Sequence, residues 1–159
     1  MLQIFLAAAK VTVTLGFLLY SSWSDYKTRE VSNKVWAIYA PIALTLSLIE
    51  LLLYMPSNLT IFGVCVGVTV GFALILFYTG AFGGADSKAF MCIALALPFF
   101  PTALLMPLIA EGLSPLSQMI FPITILSNSV LVAALSTLYL LLRNLTKRAV
   151  TGQALFEGT

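Results

Sequence analysis

The chain has 159 residues, of which 60% are hydrophobic and only 9% charged. A soluble domain is roughly 25% charged, so this composition, with a mean hydropathy of +1.04, calls for lipid as the solvent. A net charge of +2 leaves no basic stripe for nucleic acid. The absence of His excludes Ser/His/Asp triads, His-ligated zinc and imidazole acid–base chemistry.

Five stretches supply the roughly 20 apolar residues that a membrane-spanning helix needs. They run from Leu2 to Trp23, Val35 to Met55, Leu59 to Ala81, Ala89 to Ile109 and Phe121 to Leu142. No stretch alternates with period two, which excludes a barrel. The first stretch lacks a basic N-terminal region, and its apolar part is longer than that of a secretory signal, which favours a span. Pro98, Pro101 and Pro107 each remove a backbone donor, so the fourth stretch is predicted to be kinked or broken. Pro41 should bend the second helix less.

The connections differ in character. Ser24 to Lys34 is charged, Pro56 to Asn58 is a tight turn, Gly80 to Asp86 is glycine-rich, and Glu111 to Met119 carries one acid. With five spans, the basic residues Lys27, Arg29, Lys34, Lys88, Arg143, Lys147 and Arg148 all fall on one side, and the opposite loops carry none. That asymmetry predicts an external N-terminus and a cytoplasmic face bearing the charged and glycine-rich loops. The expected organisation is a transmembrane domain over residues 1–143 and a short cytoplasmic tail over 144–159.

The only two Asp residues, Asp25 and Asp86, fall on this same face. Two carboxylates within a few ångströms share a proton, and such a pair can activate water and protonate a leaving amine without metal or cofactor. Asp86 opens a predicted helix, whose partial positive charge favours the ionised form. Asp25 closes one, which leaves it the shared proton. The simpler readings are that Asp86 caps its helix and that Asp25 is a solvated loop acid beside Lys27 and Arg29.

The string Asp25-Tyr26-Lys27-Thr28-Arg29-Glu30-Val31-Ser32-Asn33-Lys34 resembles the first signature of type IV prepilin peptidases, on the archaeal preflagellin peptidase branch. Phe82-Gly83-Gly84-Ala85-Asp86-Ser87-Lys88-Ala89 resembles the second, the GxGD-type loop. The resemblance covers the membrane region in order and spacing. It implies an aspartic endopeptidase with Asp25 and Asp86 as the catalytic pair, supported by Gly83, Gly84, Ala85, Lys88, Arg29 and Asn33. The implied substrate is a prepilin or preflagellin with a short basic leader and an apolar N-terminal helix, cut at the cytoplasmic face of the plasma membrane. Ala85 stands where the broader family has Gly, a less permissive residue at positive φ. Related preflagellin peptidases usually continue into a further segment and a last span. The cysteine tetrad of the bacterial methylating extension is not present, so no methyltransferase activity is expected.

Other residues carry structural expectations. Gly63, Gly67 and Gly71 form a small-residue stripe, expected to pack within the bundle, with pairing of two copies or a groove for an incoming apolar helix as the alternatives. Lys10 and Glu50 lie 15 and 16 residues from Asp25 and Lys34 respectively. At about 1.5 Å per residue both sit about 22–24 Å above the cytoplasmic face, and they are predicted to pair. Trp23 and Trp36 read as interfacial anchors, as does Tyr20, which could also line the site. Asn33 is a candidate for starting the second helix or orienting Asp25. Glu30 is expected to pair with Arg29 or Lys34, with a leader Lys or Arg as the alternative. Lys88 is placed to favour the ionised form of the acid pair, while the remaining cations read as topology and phospholipid contacts. Cys65 and Cys92 read as packing residues. The competing functions are a non-catalytic assembly scaffold on the same fold and a small transporter in which the acids relay charge.

Overall fold

The computed structural model describes residues 1–105 and 118–151, and every regular element among them is helical. Helix α1 spans Leu2–Thr28, α2 Asn33–Tyr54, α3 Leu59–Tyr78, α4 Gly84–Ala96, α5 Thr102–Leu105 and α6 Phe121–Thr151, with a 3-10 turn at Pro56–Asn58. Among the described residues four segments are long and apolar enough to cross a bilayer: Leu2–Thr28, Asn33–Tyr54, Pro56–Tyr78 and Phe121–Lys147. They correspond to the first, second, third and fifth stretches read from the sequence. The chain is a polytopic helical membrane protein.

The fourth stretch is broken. Helix α4 ends at Ala96 after 13 residues, with Leu97 at φ −129° and ψ 62°. The ring of Pro98 excludes α geometry at the residue before it, and Pro98 has no N–H to continue the ladder. The polar groups freed by the break find partners from neighbouring elements. The Ser47 hydroxyl donates to the Ala96 carbonyl at 3.0 Å. The Cys65 thiol (3.2 Å) and the Phe121 N–H (3.1 Å) both donate to the Pro98 carbonyl. Helix α2, by contrast, runs through Pro41 without interruption.

Residues 1–124 form one compact unit. Within it α4 packs on α2 and α3, and α1 packs on α2. The core is built from Leu6, Ala7, Tyr39, Ala43, Phe62, Cys65, Ala73, Phe90 and Ile93. Lys10 and Glu50 are both buried and form a salt bridge, at the common level that their spacing predicted. One turn away, the Tyr39 hydroxyl donates to Thr14 Oγ1 at 2.9 Å, and the Tyr39 ring stacks on Phe17. Each buried polar group in this layer therefore has a partner on the facing helix.

The glycine stripe corrects an expectation. Helix α3 buries Phe62, Cys65, Thr69 and Ala73, and Gly63, Gly67 and Gly71 lie off that face. A Cβ placed on any of the three would meet nothing within 4 Å, so among the described residues of this unit nothing packs against the stripe.

Residues 125–159 form the second unit. There α6 exposes Val130, Leu131, Val132, Leu135 and Leu138 to Leu142, the surface of a helix solvated by lipid. Helix α6 continues to Thr151, past the expected start of the tail at residue 144. Pro107, Glu111 and the tail after Thr151 lie outside the described residues.

Candidate active site

Asp25 sits in the last turn of α1, whose end is set by Arg29. That residue adopts the left-handed conformation (φ 57°, ψ 19°), and its N–H donates to the Asp25 carbonyl at 2.8 Å. A non-glycine residue there costs about 1–2 kcal/mol, and local hydrogen bonds hold the chain in place. The Ser24 hydroxyl donates to the Glu30 carbonyl at 3.0 Å. The Thr28 hydroxyl reaches the carbonyls of Glu30 (2.9 Å) and Ser24 (2.8 Å). Ser32 then caps α2, its hydroxyl accepting from the Lys34 N–H at 3.4 Å. Asn33 is the first residue of α2 and not its cap.

Asp86 is the third residue of α4. Its Oδ2 accepts from the Gly83 N–H at 3.2 Å. Only the carboxylate half of a capping box is present, because Gly83 has no side chain to return the bond. Gly83 has an ordinary extended backbone (φ −68°, ψ 161°). Glycine matters there because a Cβ would stand 3.1 Å from Asp86 Oδ2. Only Gly80 in this loop requires glycine for its conformation, at φ 77°. Ala85 lies within the first turn of α4 at negative φ, so its methyl group carries no backbone penalty.

Both carboxylates are exposed, and both residues line one open cavity of about 510 Å³. Arg29, Gly83, Gly84 and Ala85 share its wall, together with Leu18, Ser21, Ser22, Val31, Trp36 and Ala89. The two acids thus meet at the wall of one water-accessible cavity. Among the described residues no three His, Cys, Asp or Glu side chains converge as metal ligands.

Two expected members lie apart from this wall. Lys88 Nζ donates to Asn33 Oδ1 at 2.6 Å. That bond ties the first turn of α2 to α4. Glu30 is exposed and makes no ion pair among the described residues, contrary to the pairing expected with Arg29 or Lys34. Tyr20 faces a separate, largely apolar groove of about 560 Å³ between α1 and α2, with Phe17, Val35 and Ile38.

The tryptophans part company. Trp23 is 55% exposed, with Lys27 Nζ 4.3 Å above its ring. Trp36 is only 6% exposed and lines the acid cavity, and its Nε1 is buried with no hydrogen-bond partner. An orphaned buried donor costs about 1–3 kcal/mol. Trp36 is therefore not an interfacial anchor but part of the cavity wall, a place that sequence reasoning did not give it.

A family model described as the type IV leader peptidase family matches residues 12–138. The preflagellin peptidase of Methanococcus voltae is 31% identical over 136 residues, which cover 81% of this chain and 55% of that protein. The chain thus spans about half the length of this relative. No solved structure matches it.

Proposed function

The chain belongs to the type IV leader peptidase family, and from that premise we propose that it is a membrane-embedded aspartic endopeptidase that removes short leaders from prepilin-like or preflagellin-like proteins. The observation that carries the reading is the shared cavity. Asp25 from the end of α1 and Asp86 from the start of α4 line one water-accessible space, although 61 residues separate them in sequence.

The reaction follows from the two carboxyl groups. A water held between them loses a proton to the ionised carboxylate as its oxygen attacks the scissile carbonyl. The protonated partner donates to the oxygen of the tetrahedral intermediate, and a proton then passes to the leaving amine. Arg29 on the cavity wall offers positive charge to the developing oxyanion. An apolar substrate helix aligned with the bundle would bring the cleavage point to the cavity, so specificity is largely positional. The one-sided distribution of basic residues supports a site on the cytoplasmic side of the plasma membrane. The outward glycine stripe of α3 is the face offered for self-association in the bilayer.

A scaffold reading draws support from the Asp86–Gly83 hydrogen bond, since capping alone would explain an acid at that position. One assay separates the two. Reconstituted protein should cut a model preflagellin, and Asp25→Ala or Asp86→Ala should lower kcat by about 10²–10⁴-fold. Asp86→Asn keeps an oxygen that can accept from Gly83 and should still lose cleavage. Uncut substrate with the wild-type protein would reject the peptidase reading.

A further inference from the structure

Within the wall of the acid cavity, Trp36 is the residue whose buried polar atom has no partner. Two other polar groups there are already committed. The Ser21 hydroxyl donates to the Phe17 carbonyl at 2.8 Å, and the Gly83 N–H donates to Asp86.

A peptide bond that is to be cut must leave helical geometry for a nucleophile to reach its carbonyl. The residues beside it then present carbonyls stripped of their intrahelical donors, and these carbonyls lose water on entering the cavity. Trp36 on that wall carries such a group, a buried donor without an acceptor. We propose that Trp36 is a substrate-binding residue of this site, whose indole N–H pairs with a main-chain carbonyl of the substrate beside the scissile bond. The inference rests on the peptidase reading above. Nε1 is closed to solvent at rest, so the bond forms only as the cavity adjusts around the bound segment. A main-chain acceptor also fits a site that reads position along a helix, because every residue offers the same carbonyl.

The test uses the full chain in bicelles with a Trp-free model preflagellin. Trp36→Phe keeps the ring and removes the donor. It should raise KM by about three- to tenfold with kcat nearly unchanged, the signature of a hydrogen bond made equally in ground and transition states. Trp23→Phe, outside the cavity, should leave both constants as they are. A second measurement does not depend on turnover or on the folding of the Trp36 variant. In a Trp23→Phe, Asp25→Asn protein, Trp36 is the sole tryptophan, and its emission should shift to longer wavelength as substrate is added. Wild-type protein that leaves the peptide uncut overturns the peptidase reading and this inference with it. Cleavage by wild type, combined with an unchanged KM for Trp36→Phe or with Trp36 emission indifferent to substrate, overturns the role of Trp36 alone.

Discussion

Two charged layers of this bundle handle charge in opposite ways. In the middle of the bundle Lys10 and Glu50 are both buried and neutralise each other across α1 and α2. A few turns along α1, Asp25 shares a wet cavity with a second acid from α4, and neither carboxylate has an ion-pair partner among the described residues. The buried layer is built for permanence, with Tyr39 bonded to Thr14 and opposite charges in contact. The acid layer lines one cavity with two acids and Arg29 and leaves Trp36 Nε1 unserved. An orphaned buried group is not confined to the cavity, since Thr69 Oγ1 in the core of α3 also has no partner, but the layer of Lys10 and Glu50 is fully paired.

The sharpest way to break this contrast is to make the buried layer resemble the acid one. Lys10→Met strands the Glu50 carboxylate and should lower unfolding stability in bicelles by about 3–5 kcal/mol. The double change Lys10→Met, Glu50→Met should recover most of that loss, and cleavage per folded molecule should be unchanged. A double variant as unstable as the single would show that the two charges act independently.

A smaller perturbation acts on the acid layer. Gly83→Ala places a methyl group 3.1 Å from Asp86 Oδ2, displacing the carboxylate while leaving its chemistry intact. We expect kcat to fall about tenfold, roughly 1.4 kcal/mol of barrier, with thermal stability nearly unchanged. Wild-type turnover would mean that the Gly83–Asp86 contact does not set the position of the acid. The smallest effect is expected at Ala85→Gly. This position is already helical, so the change should cost about 0.5–1 kcal/mol of stability and leave kcat within about twofold. A large gain in kcat would show that the alanine restrains the loop.

What the sequence disclosed, and what it withheld, divides along a physical line. Quantities that accumulate along the chain were legible. Rise per residue put Lys10 and Glu50 at one level, and the backbone chemistry of proline broke the helix at Pro98. Charge and motif order brought Asp25 and Asp86 to the same end. Quantities set by rotation about a helix axis were not. Trp36 at a span end has the same composition signal whether it points to headgroups or into a cavity. The Gly63, Gly67 and Gly71 stripe has the same spacing whether it faces a neighbour or open space. Asn33 and Lys88 are 55 residues apart, and only the docking of α4 on α2 shows that they bond to each other.

The shortness of α4 has a mechanical consequence. Its 13 residues rise about 20 Å, whereas the 27 of α1 rise about 40 Å. A hydrocarbon slab about 30 Å thick can be crossed by the longer rod but not by the shorter one. Asp25 therefore rides on an element long enough to reach both faces of the bilayer. Asp86 rides on one whose depth is set by the helices packed around it.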